Sequence, residues 1–316
     1  MVAIQHVKGY LDREGENLHF LEAGDSDKPE LFCKGLNVLP DNLNDETREQ
    51  IMKTWFITGT SRGFGRVWAK AALARGDKVA ATARNIDSLK DLVDEYCENI
   101  LPLQLDVTDR DADFGAVKQA HEHFGRLDVI VNNAGYGLMG AIEEISEAEA
   151  RAQLETNFFG ALWVTQAAPP YLREQGGGHI IQVSSLGGIA AFPGVGLYHA
   201  SKWALEAFSD ALSQEVSKFG IKVTLIEPSG FSTDWTGSAV NATENPLYSS
   251  IRFRSTAKRG DPKATAEAIL KVVDAENPPL RLLLGNRACD CVKELYPKRL
   301  ATWAEWEAVS RAADGY

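Results

Sequence analysis

Residues 53–84 read KTWFITGTSRGFGRVWAKAALARGDKVAATAR, and this stretch decides the fold. An apolar run, KTWFIT (53–58), leads straight into a turn with glycines at 59, 63 and 65. A segment of helical period (65–75) follows, and a second apolar run, KVAATA (78–83), closes the unit. Runs apolar at successive positions suit strands buried on both faces, the condition of a parallel sheet covered by helices. Strand, glycine-rich turn, helix and strand in this order form a βαβ unit.

Working outward, the alternation continues. ILPLQL (100–105), LDVIVN (127–132), HIIQVS (179–184), IKVTLI (221–226) and LRLLLG (280–285) read as further strands. Helical periods run through 109–124, 147–168, 198–218 and 263–275, the first of these stopped by Gly125. The pattern predicts an α/β, doubly wound (Rossmann-type), mostly parallel sheet of about seven strands, with helices on both faces and right-handed crossovers. Residues 1–51 are polar and hold no sustained apolar period, so they are expected to be a loosely structured extension of one domain spanning 52–316. The connection 230–261 is too long for a simple turn and carries Phe231, Trp235, Tyr248 and Phe253, which predicts a substrate loop. Segment 286–316, with Trp303 and Trp306 on a helix, is expected to pack over that loop or against a neighbouring chain.

Composition narrows the classes. The 316 residues are 44% apolar and 24% charged, an ordinary globular mix. A net charge of −11 argues against nucleic acid and anionic membrane surfaces as partners. No apolar run approaches the roughly 18 residues of a membrane span. The N-terminus has charges where a secretion signal needs its apolar stretch, so a cytoplasmic location is expected. Cys33, Cys97, Cys289 and Cys291 lack metal or redox spacing and read as reduced thiols, with no metal site.

The glycine turn, Thr58-Gly-Thr-Ser-Arg-Gly-Phe-Gly65, sits where free N–H groups at a helix N-terminus favour a pyrophosphate. Thr58, Gly59, Ser61, Arg62, Gly63, Phe64 and Gly65 are therefore candidate cofactor residues. An NAD site ends the second strand with a carboxylate that binds the ribose 2′-hydroxyl. Here that strand ends Thr82-Ala83-Arg84, and Arg62 lies in the turn itself. Two guanidiniums suit a 2′-phosphate, which points to NADP(H) over NAD. Asp106-Val107 after the third strand and Asn133-Ala134-Gly135 after the fourth occupy carboxyl ends of strands, the ligand edge of such sheets. Asp106 suits an adenine amino group, and the Asn-Asn-Ala-Gly turn serves equally to tie strands together or to touch the ligand.

Tyr198 and Lys202 are four residues apart, one face of a helix. An ammonium beside a phenol lowers its pKa from about 10, making Tyr198 a general acid for a carbonyl or base for an alcohol. Taken alone the spacing is equally that of a surface pair. The motifs taken together resemble the short-chain dehydrogenase/reductase family over about 52–285: TGxxxGxG at Thr58, Gly59, Gly63 and Gly65, NNAG at 132–135, Asn157, Ser185 thirteen residues before Tyr198, and Lys202. The resemblance implies that Tyr198 transfers the proton, and that Ser185 binds the substrate oxygen. It implies that Lys202 holds the nicotinamide ribose and that Asn157 anchors a water. One departure is Pro228-Ser229-Gly230, where the family has Pro-Gly; Thr233 stays available beside Pro228 and Gly230 for the carboxamide. The resemblance also implies a homodimer or homotetramer through 147–168 and 198–218. Leu138, Met139, Leu186, Phe192, Phe231 and Trp235 would wall an apolar pocket with no cationic handle, although each also suits core packing. An apolar ketone, aldehyde or secondary alcohol is the expected substrate. An idle NADP-sensing protein and an epimerase or lyase are the alternatives on the same fold.

Overall fold

A computed structural model describes residues 10–11, 18–19, 52–233, 238–252 and 258–315. Contacts divide the chain into two units, Met1–Cys33 and Lys34–Tyr316. In the first, Tyr10–Leu11 pairs antiparallel with Leu18–His19.

In the second unit a seven-stranded sheet forms among the described residues. Its strands are β1 (Thr54–Ile57), β2 (Lys78–Ala83), β3 (Ile100–Gln104), β4 (Val129–Asn132), β5 (Gly178–Val183), β6 (Ile221–Pro228) and β7 (Arg281–Leu284). All pairings are parallel, in the order β7-β6-β5-β4-β1-β2-β3. The order reverses between β1 and β4, so a crevice opens there at the carboxyl ends of the strands. The doubly wound fold expected from the sequence is the fold observed.

The helices are α1 (Gly63–Arg75), α2 (Lys90–Tyr96), α3 (Arg110–Phe124), α4 (Glu147–Leu154), α5 (Gly160–Ala167), α6 (Pro169–Glu174), α7 (Gly196–Val216), α8 (Thr265–Asp274), α9 (Asn286–Glu305) and α10 (Glu307–Ala312). The side chains of β1 explain why both faces must be covered. Trp55 and Ile57 join Trp68 and Ala72 of α1 and Ile269 and Val273 of α8 in one core. Phe56 points the other way, into a core with Val117 of α3, Val164 of α5 and Leu212 of α7. The period of two along the strand thus feeds two helical layers. Local signals set the helix ends: Asp109 caps α3 by accepting from the backbone N–H groups of Asp111 and Ala112, and Gly125 ends it with a left-handed φ of 77°.

The expected helix 147–168 is interrupted. Residues Glu155–Phe159 form a π-turn between α4 and α5, which hydrophobic period alone does not reveal. Helix α2 also lies outside the helical periods read from the sequence. The first turns of α9 pack on the loop after β5, with Ala288 fully buried beside Leu186, Ile189 and Ala190. Beyond Arg299 the C-terminal helix is exposed, including Trp303 and Trp306. Cys289 and Cys291 are free thiols, whereas Cys97 is disulfide-bonded, so the reduced state expected of all four cysteines does not hold at Cys97.

Candidate active site

The glycine turn is built to bring backbones together. A β-carbon on Gly65 would stand 2.5 Å from both Asn133 Nδ2 and the Gly59 carbonyl oxygen, so only glycine fits. Asn133 explains the closeness: its amide donates to the carbonyls of Thr58 (2.9 Å) and Gly59 (3.0 Å). Thr58 Oγ1 in turn accepts from the backbone N–H groups of Asn133 and Ala134, both at 2.9 Å. The ends of β1 and β4 are thereby stitched across the crevice. Asn132 turns inward and donates to Thr165 at 2.9 Å. Thr58 and Gly65 support the turn from behind rather than line the cavity.

Helix α1 begins at Gly63 with no side-chain cap and no acidic residue in its first turn. Its free N–H groups and positive dipole end therefore face the crevice unneutralised, the donor set a pyrophosphate requires. Phe64 holds this end in place, stacked on Trp68 and edge-on to Phe231, both at 5.3 Å between ring centroids. Ser61, Arg62, Gly63 and Arg84 line one cavity of about 1280 Å³. Asp106 and Val107 line the same cavity, and Asp106 is partly engaged, accepting from the Thr108 backbone and hydroxyl. Asn133, Ala134, Gly135, Pro228, Gly230 and Thr233 complete the stretch expected to meet the cofactor.

Ser185, Tyr198 and Lys202 line the same cavity. The Tyr198 hydroxyl is hydrogen-bonded to the Ser185 side chain. Burial raises the phenol above its ordinary value, and the bond with Ser185 opposes that rise. The rise is opposite to the lowering expected from Lys202, and burial of a phenol 8% exposed is its largest cause. Lys202 Nζ donates to the Val183 carbonyl oxygen at 2.7 Å. Burial pulls its pKa down to about 8, with the Glu206 carboxylate one turn along α7 pulling back up. Asn157 sits in the π-turn, 1% exposed, beneath the cavity wall. Its amide donates to the Tyr136 carbonyl (2.9 Å) and Ser201 Oγ (3.1 Å), and its oxygen accepts from the Tyr136 N–H (3.0 Å). A β-carbon on Gly135 would lie 3.0 Å from Asn157 Oδ1 and 3.7 Å from Lys202 Nζ, so the two polar groups converge on that glycine.

Of the expected substrate wall, Leu186, Phe192 and Phe231 line the cavity. Leu138 and Met139 do not; they pair as a short strand with Val240 and Asn241, and Leu138 is 1% exposed in the core. Trp235 and Phe253 lie outside the described residues. The wall also holds Val195, His199, Lys258, Arg259 and Arg287. Lys258, Arg259 and Arg287 line the cavity that also holds the expected cofactor residues, and their distance in sequence from the motifs hid them. His199 had a visible signal, its place directly after Tyr198.

Comparison with known proteins identifies the scaffold. A family model described as short chain dehydrogenase matches residues 53–244. The chain is 43% identical over 271 residues to the oxidoreductase BOA17 of Botryotinia fuckeliana, covering 83% of this chain and 99% of that protein. It belongs to the short-chain dehydrogenase family. Family members with solved structures superpose accordingly. A short-chain dehydrogenase from Streptomyces avermitilis matches at 40% identity and a TM-score of 0.80, over 84% of this chain and 99% of the other. An alcohol dehydrogenase from Thermococcus sibiricus, complexed with 5-hydroxy-NADP, matches at 26% identity and a TM-score of 0.64, over 74% and 96%. Like its relatives in the family, this chain is an oxidoreductase. Among the described residues no helix is long and apolar enough to cross a membrane.

Proposed function

We propose that this oxidoreductase is an NADP(H)-dependent carbonyl reductase/alcohol dehydrogenase acting on an apolar ketone, aldehyde or secondary alcohol. The observation that carries the reading is one cavity lined both by Ser185, Tyr198 and Lys202 and by Ser61–Phe64 at the uncapped N-terminus of α1. The nicotinamide supplies or accepts the hydride, and the protein supplies orientation and the proton. Residues Ser61–Phe64 and the first turn of α1 hold the pyrophosphate; Arg62 and Arg84 take the 2′-phosphate. The NADP derivative in the Thermococcus relative supports that choice of cofactor. Ser185 Oγ donates to the substrate oxygen and stabilises charge developing there. A phenol raised by burial keeps its proton near neutrality, the state that delivers it to an alkoxide when a carbonyl is reduced. Lys202 holds ribose hydroxyls, and Asn157 fixes the backbone of Tyr136 beside it while holding a water on the path to solvent.

The catalytic unit is residues 52–316, with 1–51 an extension outside it and 230–261 the substrate loop. We assign the protein to the cytoplasm, as a homo-oligomer through the helices of 147–168 and 198–218. The test is NADPH oxidation, followed by absorbance, against a panel of apolar carbonyls. Tyr198→Phe should lose at least ~100-fold in kcat while still binding NADPH. Tight NADPH binding by wild type with no turnover on any carbonyl would instead favour a sensing protein.

A further inference from the structure

His199 is 5% exposed yet lines the cavity, directly beside Tyr198 at 5.7 Å between ring centroids. Its Nδ1 accepts the backbone N–H of Phe192 at 3.1 Å, and its ring meets the Phe192 ring edge-on at 5.6 Å. A nitrogen that accepts a hydrogen bond from a backbone amide carries no proton, so in a neutral ring the proton sits on Nε2. Burial keeps the ring neutral, holding its pKa down at about 4. The Nε2–H is then a fixed donor, and among the described residues it has no protein partner.

Its direction is set by Gly187. A β-carbon there would lie 2.4 Å from His199 Cδ2, 2.8 Å from Nε2 and 3.3 Å from Ser185 Oγ. Only glycine leaves room for the imidazole, and the same point lies within 3.3 Å of both Nε2 and the Ser185 hydroxyl, so the two groups are neighbours. His199 lines the cavity, so this donor is left to whatever the cavity holds.

We infer that His199 is a specificity-determining residue whose Nε2–H binds a second oxygen of the substrate, so that the preferred substrate is a ketone bearing an oxygen acceptor on the carbon one or two bonds from the reacting carbonyl, or the corresponding alcohol. With the reacting oxygen held by Ser185 and Tyr198, the neighbouring oxygen of a β-oxo ester, thioester or β-hydroxyketone falls to Nε2, while the apolar chain runs along Leu186 and Phe192. The inference rests on the reductase reading above.

The test pairs methyl 3-oxodecanoate with 2-nonanone, which is the same ketone without the ester, in NADPH-oxidation kinetics. His199→Asn keeps an oxygen for the Phe192 N–H and removes the far donor; His199→Gln offers an amide donor near the Nε2 position. His199→Asn should lose roughly 5- to 15-fold in kcat/KM on the oxoester and less than about 2-fold on 2-nonanone. His199→Gln should recover part of the oxoester rate. Equal losses on both substrates would mean that His199 serves only to hold the Phe192 loop, and the inference fails. Should His199→Asn not fold, the wild-type preference decides: a kcat/KM on the oxoester no higher than on 2-nonanone overturns the inference. Wild-type turnover of 2-nonanone that disappears in Tyr198→Phe keeps the reductase reading standing whatever His199 does. Failure of wild type on both ketones overturns both.

Discussion

Replacing Gly65 with alanine tests the idea that the crevice is held open by two backbones in near contact. The new methyl would meet Asn133 Nδ2 and the Gly59 carbonyl at 2.5 Å, and ordinary contact begins near 3.4 Å. Neither neighbour is free to move. Asn133 Nδ2 makes the two hydrogen bonds that tie β4 to the turn, and Gly59 holds a positive φ of 70° within that turn. Relief requires a shift of about 1 Å, which strains the packing by about 1–3 kcal/mol. It also weakens two hydrogen bonds of about 1 kcal/mol each. A loss of roughly 3–5 kcal/mol corresponds to a fall in Tm of roughly 10 °C for a domain of this size. The displaced turn should raise the Kd for NADPH by ~10-fold or more, since positioned backbone N–H groups tolerate little misplacement. Gly115, exposed in α3 with nothing within 4 Å of its β-carbon position, is the control: Gly115→Ala should stabilise by up to about 1 kcal/mol. Thermal melts with and without NADPH, together with fluorescence titration, read both effects. A Gly65→Ala protein that melts within a degree or two of wild type and binds NADPH equally well would refute the close-approach argument.

Two further outcomes follow from single residues. Arg84→Asp should weaken NADPH by roughly 10- to 100-fold, the value of a charge-assisted hydrogen bond, while NADH changes little; equal losses would remove Arg84 from the 2′-phosphate. Glu227 is 1% exposed, and burial, reinforced by the Glu206 charge, pushes its pKa up to about 8 from 4.5. A carboxyl raised on folding binds its proton more tightly in the native state, so wild-type stability should fall as pH rises from about 4.5 through about 8. Glu227→Gln should flatten that decline in urea melts between pH 6 and 8.5, and an unchanged slope would show that Glu227 is ionised throughout.

Much of this molecule is legible without coordinates because its information is local. Apolar runs such as KTWFIT bury both faces whatever surrounds them, and Gly65 is required by a turn eight residues long. The same locality brought Ser61–Gly65, Arg84 and Asp106 to one sheet edge, since carboxyl ends of adjacent parallel strands converge by topology alone. Tyr198 and Lys202 followed from one helical turn. What spacing could not supply was environment. The direction of the Tyr198 shift depends on how much water the surrounding loops exclude, a sum over residues from β5, α7 and the loop after β6. Leu138 and Met139 look like pocket residues by composition, yet a pairing with Val240, a hundred residues on, turns them into structure.

The sequence by itself therefore determined the sheet, the glycine turn and the order of the polar groups along it, because each is fixed by period or by a single turn. Only the tertiary structure decided that His199 is a neutral donor at the cavity wall and that Arg287 reaches the same cavity. Both facts arise from contacts between segments far apart in the chain: the Leu186–Phe192 loop against α7, and α9 against that loop. Burial and hydrogen-bond direction are properties of those contacts, and no local pattern encodes them.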